Sequence, residues 1–365
     1  MPRPKVTRAQ ALAWRLRRQH LLDGAADPDE VVRTLGMLAI FGSDPDLAVR
    51  RRLASPGPPG EVQRALGEGR LLRTWARGAV SLMEPATAGR FLVIRAAGRQ
   101  WARKSWVEFY DLQPDDWPDL REIVRGVVAD GPVPPQAVAD ELARSRRFAH
   151  LAPQFAEPNI TLLKPFSWQG DIVLGPGLDG PMLLQSPEAT RGWRGLPDLA
   201  EAGRAAVLDY FAAYGPATRA DVHHWLGDGL SAGRSRVERW LDDVTDRLVE
   251  VDVDGEKVWH PGDLVDQLLE TEPAGRVVLL PGKDAWVFGP GTKHTWVVPP
   301  ATRQDMTRGV APIVVDGVVR GTWRVRDGTL HTAWLDEPSA TVAKAYDAEV
   351  ARLSALVGRE LTPSG

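Results

Sequence analysis

The sequence predicts an α+β fold with three tandem helical units, each closed by a β-hairpin, and a C-terminal antiparallel β element ending in a helix. Three observations carry this reading. The first is an internal repeat: ADGPVPPQAVADEL (129–142) aligns without gaps on AYGPATRADVHHWL (213–226). Gly131-Pro132 falls on Gly215-Pro216, Val138 on Val222 and Leu142 on Leu226, while upstream Ile123, Val124 and Val127 face Val207, Leu208 and Phe211. Each copy reads as an amphipathic helix, a Gly-Pro turn that stops it, and a second helix.

The second observation is how the later copy continues. Residues 231–248 place Val237, Trp240, Leu241, Val244 and Leu248 at the three-and-four spacing of a third helix with one buried face. LVEVDVDGEKVWH then alternates about Asp254-Gly255, a two-residue hairpin signal. Three helices followed by a hairpin is the order of a winged helix. The earlier copy ends in a comparable segment, DIVLGPGLDGPMLL (171–184), turning near Asp179-Gly180. The third observation is a change of character from residue 276. RVVLLPG, AWVFG, TWVVPP and IVVDGVVRGTWRVRDGTLHTAWL read as short strands with Asp-Gly turns at 316 and 327, and a helix over roughly 338–357 closes the chain.

Residues 1–95 read as a more diverged first copy. ALAWRLRRQHLL is one helix, DPDEVVRTLGMLAIF a capped second helix, and 46–53 a third. LLRTWARGAVSLM and GRFLVIRAAG supply strand-like runs. The predicted boundaries are 1–112, 113–195, 196–273 and 274–365.

Composition narrows the chemistry. There is no cysteine, so disulfides, thiolate metal sites and thiol nucleophiles are excluded. His223-His224 are helix neighbours pointing about 100° apart and cannot chelate one ion together, so no metal and no cofactor is expected. No run approaches roughly 18 apolar residues, and arginines interrupt the N-terminus, which predicts a cytoplasmic protein that does not engage a membrane. Net charge is −3, so bulk positive charge does not hold it on nucleic acid. Local basic clusters exist at Arg15, Arg17 and Arg18, at Arg50, Arg51 and Arg52, and at Arg144, Arg146 and Arg147. Of these, Arg50, Arg51 and Arg146 are candidate DNA contacts, together with Arg234 on the third helix of the later repeat, whose Arg236 and Arg239 also suit a major-groove helix.

Four stretches carry a resemblance: LLRTWARG (71–78), AAYGPATRADVHHWLG (212–227), LLPGKDAWVFG (279–289) and VVDGVVRGTWR (314–324). In them the chain resembles, over nearly its whole length, the bacterial winged-helix DNA glycosylases typified by AlkZ. The resemblance implies a C-shaped clamp of three winged helices around double-stranded DNA, alkylated or crosslinked, entered as a monomer. It implies excision of N7-alkylpurines by a water aligned on a Gln-x-Gln signature after Leu-Gly-Gly-Leu. In LGMLAIFGSDPD (35–46) that signature is absent: alignment on Leu35-Gly36 puts Ala39 and Phe41 at the glutamines, and alignment on Asp-Pro puts Phe41 and Ser43 there. The family's Arg-Gly-Thr-x-His becomes Arg77-Gly78-Ala79-Val80-Ser81.

Two readings of the site follow. Either the catalytic group is lost and the protein binds DNA without excision, or Ser43, Asp44 and Asp46 form a replacement site with a carboxylate as base. Asp44-Pro45 is also an N-cap followed by a helix-opening proline. Arg77 is a phosphate contact or the partner of an internal acid, and Asp284, kept from the family pattern, is a further DNA-site candidate. A transcriptional regulator or non-catalytic protein partner is the alternative of another class.

Overall fold

The computed structural model describes residues 3–155, 161–273 and 275–363, so the expected boundary at residue 274 lies outside the described residues. The architecture is mixed α+β, with three sheets of three, five and five strands tied together by helices. None of its helices is long and apolar enough to cross a membrane among the described residues.

The N-terminal helix Arg8–Arg18 starts at a reciprocal cap in which Thr7 and Gln10 satisfy each other's backbone N–H. It leaves the rest of the first segment. Strand Lys5–Val6 pairs in parallel with Leu248–Val253, and Leu12, Trp14 and Leu16 join a core containing Val251, Val258, Val278, Trp286 and Val297. The first helix thus packs on the hairpin of the later copy and on the C-terminal element.

Helix Pro28–Leu35 is capped by Asp27, whose carboxylate accepts from Glu30 N, with Pro28 at the first position. The sequence predicts helix on to Phe41; the structure ends it at Gly36, which has φ 76°. A left-handed residue breaks the helical path, and glycine takes it without a Cβ penalty. The chain then re-enters as strand Leu38–Ala39, antiparallel to Val80–Met83 with Leu38 opposite Leu82 and Ala39 opposite Ser81. Helices Pro45–Arg50 and Glu61–Gly67 follow, then the expected hairpin of Leu72–Trp75 and Val80–Met83. The strand-like run GRFLVIRAAG is instead part of helix Pro85–Ala96. Glu84 accepts from Thr87 N, Pro85 opens the first turn, and Ala88, Phe91, Leu92 and Arg95 are buried at helical spacing, so capping and tertiary burial outweigh β-branched content.

The repeat is real in three dimensions. Helices Trp117–Val128 and Leu199–Tyr214 are its first elements, and Val124, Val138 and Leu142 are as fully buried as Val207, Val222 and Leu226. The second elements differ: Pro135–Ala143 is a regular α-helix, whereas Arg219–Val222 continues into a wider π turn at His223–Asp228. Helix Arg234–Asp243 and the hairpin of Leu248–Val253 and Glu256–Pro261 complete the later copy. Asp254 and Gly255 have φ 49° and 88°, the positive pair a tight two-residue hairpin needs. The earlier hairpin is reduced to Val173–Leu174 and Leu184–Gln185. It extends the first sheet, because Leu174 pairs with Arg73.

His260 ends the later hairpin, fully buried, with its ring edge-on to Trp14 at 4.5 Å between centroids. Burial pushes its pKa down to about 4. The unfolded chain, titrating near the ordinary value of about 6.5, binds a proton that the folded chain refuses between those limits. Stability is therefore expected to fall as pH drops from about 6.5 to about 4, by roughly 3 kcal/mol. His294, pushed to about 4 by burial and then by Arg15, adds in the same direction. Urea unfolding across that range checks this, and His260→Phe should remove a large part of the slope.

In the C-terminal element, Val277–Leu279, Ala311–Val315, Val318–Arg326, Thr329–Trp334 and Thr362–Pro363 form the third sheet. Helix Ala340–Val357 lies on it, joining Tyr346, Val350 and Leu353 to Leu279, Ile313 and Leu330. AWVFG and TWVVPP, predicted as strands, are not. Ala285–Phe288 is one helical turn, started by the Asp284 carboxylate accepting from Trp286 N, and 295–300 is a turn whose Trp296, Val297 and Val298 are buried.

Candidate active site

Where strand Leu38–Ala39 meets Val80–Met83, Ala39 and Ser81 are direct partners. In the frame set by Leu35-Gly36, one of the positions aligned on the family's glutamines and the position aligned on its histidine thus stand side by side. They open onto a recess of about 190 Å³ lined also by Met37, Arg77, Tyr214, Trp225, Lys283 and the turn Ala285–Gly289. Four remote segments build it: the strand after Gly36, the first hairpin, the second repeat and the C-terminal element.

Arg77 sits at the turn between the hairpin strands. Its guanidinium donates to Phe288 O at 3.1 Å and lies over the Trp225 ring at 5.4 Å. Gly229 permits this: a Cβ there would stand 2.4 Å from Arg77 Nε. Burial lowers the Arg77 pKa. Tyr214 donates its hydroxyl to Leu35 O at 3.0 Å, and burial raises its pKa far above the usual phenol range. This bond fixes the end of helix Pro28–Leu35 against the second repeat.

Lys283 enters from the opposite wall. Its backbone is left-handed, with φ 57°, a conformation uncommon for a residue with a side chain. Its ammonium donates to Phe41 O at 3.1 Å and lies 4.8 Å from the centroid of the Phe41 ring. Phe41 itself is 73% exposed.

The residues expected to replace the lost chemistry are used otherwise. Asp44 caps helix Pro45–Arg50, accepting from Leu47 N at 2.9 Å. Asp46 accepts from Gly60 N at 3.0 Å and Val62 N at 2.9 Å, which starts helix Glu61–Gly67 and leaves its carboxylate engaged on both oxygens. Ser43 has a buried hydroxyl with no hydrogen-bond partner among the described residues. None of the three lines the recess.

Three expected DNA contacts, Arg50, Arg51 and Asp284, are buried. Arg50 donates to Gly57 O and Leu356 O. Arg51 pairs with Glu349, its Nε 2.9 Å from Oε1, and burial lowers its pKa to about 10. Asp284 is bound by Arg52 through two bonds of 2.6 and 2.8 Å. Side chains enclosed in this way do not reach a phosphate. Arg146 is exposed, and Arg234 is exposed with Glu238 3.9 Å away. His223 bonds Glu238 at 2.8 Å while His224 stands 3.8 Å from Asp228, so the pair diverges. Among the described residues no group of three His, Asp or Glu is placed to hold a metal. Sequence reasoning missed Lys283 and Tyr214, although both lie inside stretches that carry the resemblance.

An interstrand DNA cross-link repair glycosylase from Streptomyces sahachiroi is 30% identical over 369 residues, covering 98% of this chain and 99% of that protein. The solved structure of Streptomyces sahachiroi DNA glycosylase AlkZ matches with a TM-score of 0.90 at 28% identity, over 98% of this chain and 99% of that one. Residues 31–356 match the family model described as DNA glycosylase AlkZ-like, and the chain belongs to that family.

Proposed function

We propose that this protein is a DNA repair factor that binds damaged duplex DNA and presents the lesion to the Ala39–Ser81 recess without the family's glutamine-directed excision. Its three winged-helix units, over 1–112, 113–195 and 196–273, form a C-shaped clamp, and it works as a monomer in the cytoplasm on alkylated or crosslinked DNA. Arg77, Arg146 and Arg234 are the cations proposed to meet the phosphates.

One observation carries the reading: among the described residues no carboxylate or carboxamide lines the recess. Hydrolysis of an N-glycosidic bond needs a group that aligns water at C1′ and favours the developing oxocarbenium ion. Here the ionisable groups are Arg77, Tyr214 and Lys283, and two of them are cations that oppose positive charge on the sugar.

Single-turnover release of N7-methylguanine from a labelled duplex, with undamaged duplex as the binding control, tests the proposal. The expected result is binding with release no faster than in buffer. Release that disappears in Asp44→Asn would instead establish a relocated carboxylate, and failure to bind either duplex would place the protein outside DNA repair.

A further inference from the structure

The recess contains a cation that its surroundings have been shaped to keep. The Lys283 side chain runs between two glycines: a Cβ at Gly42 would stand 2.7 Å from its Nζ, and one at Gly309 would stand 2.7 Å from its Cγ. Both glycines have positive φ, 66° and 81°. The lysine's own left-handed backbone adds a conformational cost. The ammonium at the end of this passage is held by a carbonyl and an aromatic face, not by an acid. Its neighbour in sequence, Asp284, is turned inward and neutralised by Arg52. On the other wall, the Arg77 guanidinium bonds the Phe288 carbonyl, and among the described residues no carboxylate lines the recess beside it. Among the described residues, two cations with no carboxylate beside them therefore face a small cavity lined also by Met37, Ala39, Ser81, Tyr214, Trp225 and Phe288.

We infer that Lys283, with Arg77, sets the specificity of this recess: it admits an uncharged abasic deoxyribose with its flanking phosphate and disfavours a cationic N7-alkylpurine. The inference rests on the lesion-binding reading above and ranks what the recess holds, the site left after base loss ahead of the alkylated base itself. A purine alkylated at N7 carries a full positive charge, and bringing it beside an ammonium with reduced solvent is repulsive. An abasic sugar carries no charge, and its phosphodiester supplies the anion that Lys283 and Arg77 lack. Phe41, exposed and bonded through its carbonyl by Lys283, is the ring proposed to stack on the base adjoining the gap.

Binding of the full chain to three duplexes tests this. One carries tetrahydrofuran as a stable abasic site, one carries 2′-fluoro-N7-methylguanosine as a stable cationic lesion, and one is undamaged. Wild-type protein is expected to bind tetrahydrofuran most tightly. In Lys283→Met and Lys283→Gln the advantage of tetrahydrofuran over the cationic lesion is expected to shrink by roughly tenfold, while Lys283→Arg keeps it; thermal melts confirm that each variant folds. A wild-type preference for the cationic lesion, or an unchanged ratio in both uncharged variants, overturns the inference and leaves lesion binding intact. Equal affinity of wild type for all three duplexes overturns lesion binding itself, and the inference with it.

Discussion

Arg52→Met is expected to lower the stability of the fold by about 3–5 kcal/mol, read as a shift of the urea midpoint at unchanged slope. Arg52 is completely buried. Its guanidinium grips Asp284 in a two-pronged pair of 2.8 and 2.6 Å and donates a further bond to Ala48 O at 2.9 Å. Asp284 in turn accepts from Trp286 N at 2.8 Å. Methionine fills much of the space but leaves a carboxylate in the interior with its counter-ion gone, and that desolvated charge is the source of the loss. Asp284→Asn in the same chain preserves the cap to Trp286 while removing the stranded charge, so the double variant should recover a substantial part of the deficit. A loss below about 1 kcal/mol in Arg52→Met would refute the argument. The pair also bears on the site, since it ties the helix Pro45–Arg50 region to the residues flanking Lys283 and Ala285.

This pair illustrates what the sequence does and does not disclose. Arg50, Arg51 and Arg52 read as a basic face, because three adjacent arginines carry no mark of which way they point. In the fold they point inward in three directions, to carbonyls, to Glu349 and to Asp284, and the acids lie more than 200 residues away. Local signals were legible wherever the chain closes on itself. The Asp254-Gly255, Asp316-Gly317 and Asp327-Gly328 turns, the caps at Asp27 and Asp44, and the repeat about Gly131 and Gly215 are all where turn chemistry and apolar spacing put them. Short apolar runs were not. LGMLAIF was read as helix and is a glycine-broken turn into a strand, while GRFLVIRAAG was read as strand and is helix, because six or seven apolar residues fit either period and burial from outside decides. The resemblance pointed to the segment aligned on the family's signature. It did not show that Ala39 and Ser81 are neighbours, nor that Lys283 enters beside them, since the recess is assembled by pairing and packing between segments remote in sequence.

Trp286→Ala is the second large effect, with an expected loss of about 3–5 kcal/mol. Trp286 is fully buried in the core that joins the N-terminal helix to the hairpin of the later repeat, and its indole N–H donates to Gly317 O at 3.0 Å. Truncation removes the ring and leaves a cavity among Leu12, Val278 and Val297, side chains of the N-terminal helix and the C-terminal element that cannot all move to fill it. Trp286→Phe keeps most of the apolar area and forfeits the bond to Gly317, so it should cost about 1 kcal/mol plus a smaller packing term. The functional consequence follows from position. Trp286 anchors the single turn Ala285–Phe288, which supplies a wall of the recess and the carbonyl that holds Arg77. In Trp286→Ala the affinity for tetrahydrofuran-containing duplex should therefore fall even at temperatures well below the midpoint of unfolding. Full affinity in a variant that is strongly destabilised would mean that the turn is held by Asp284 and Arg52 alone, and that the recess does not depend on the core beneath it.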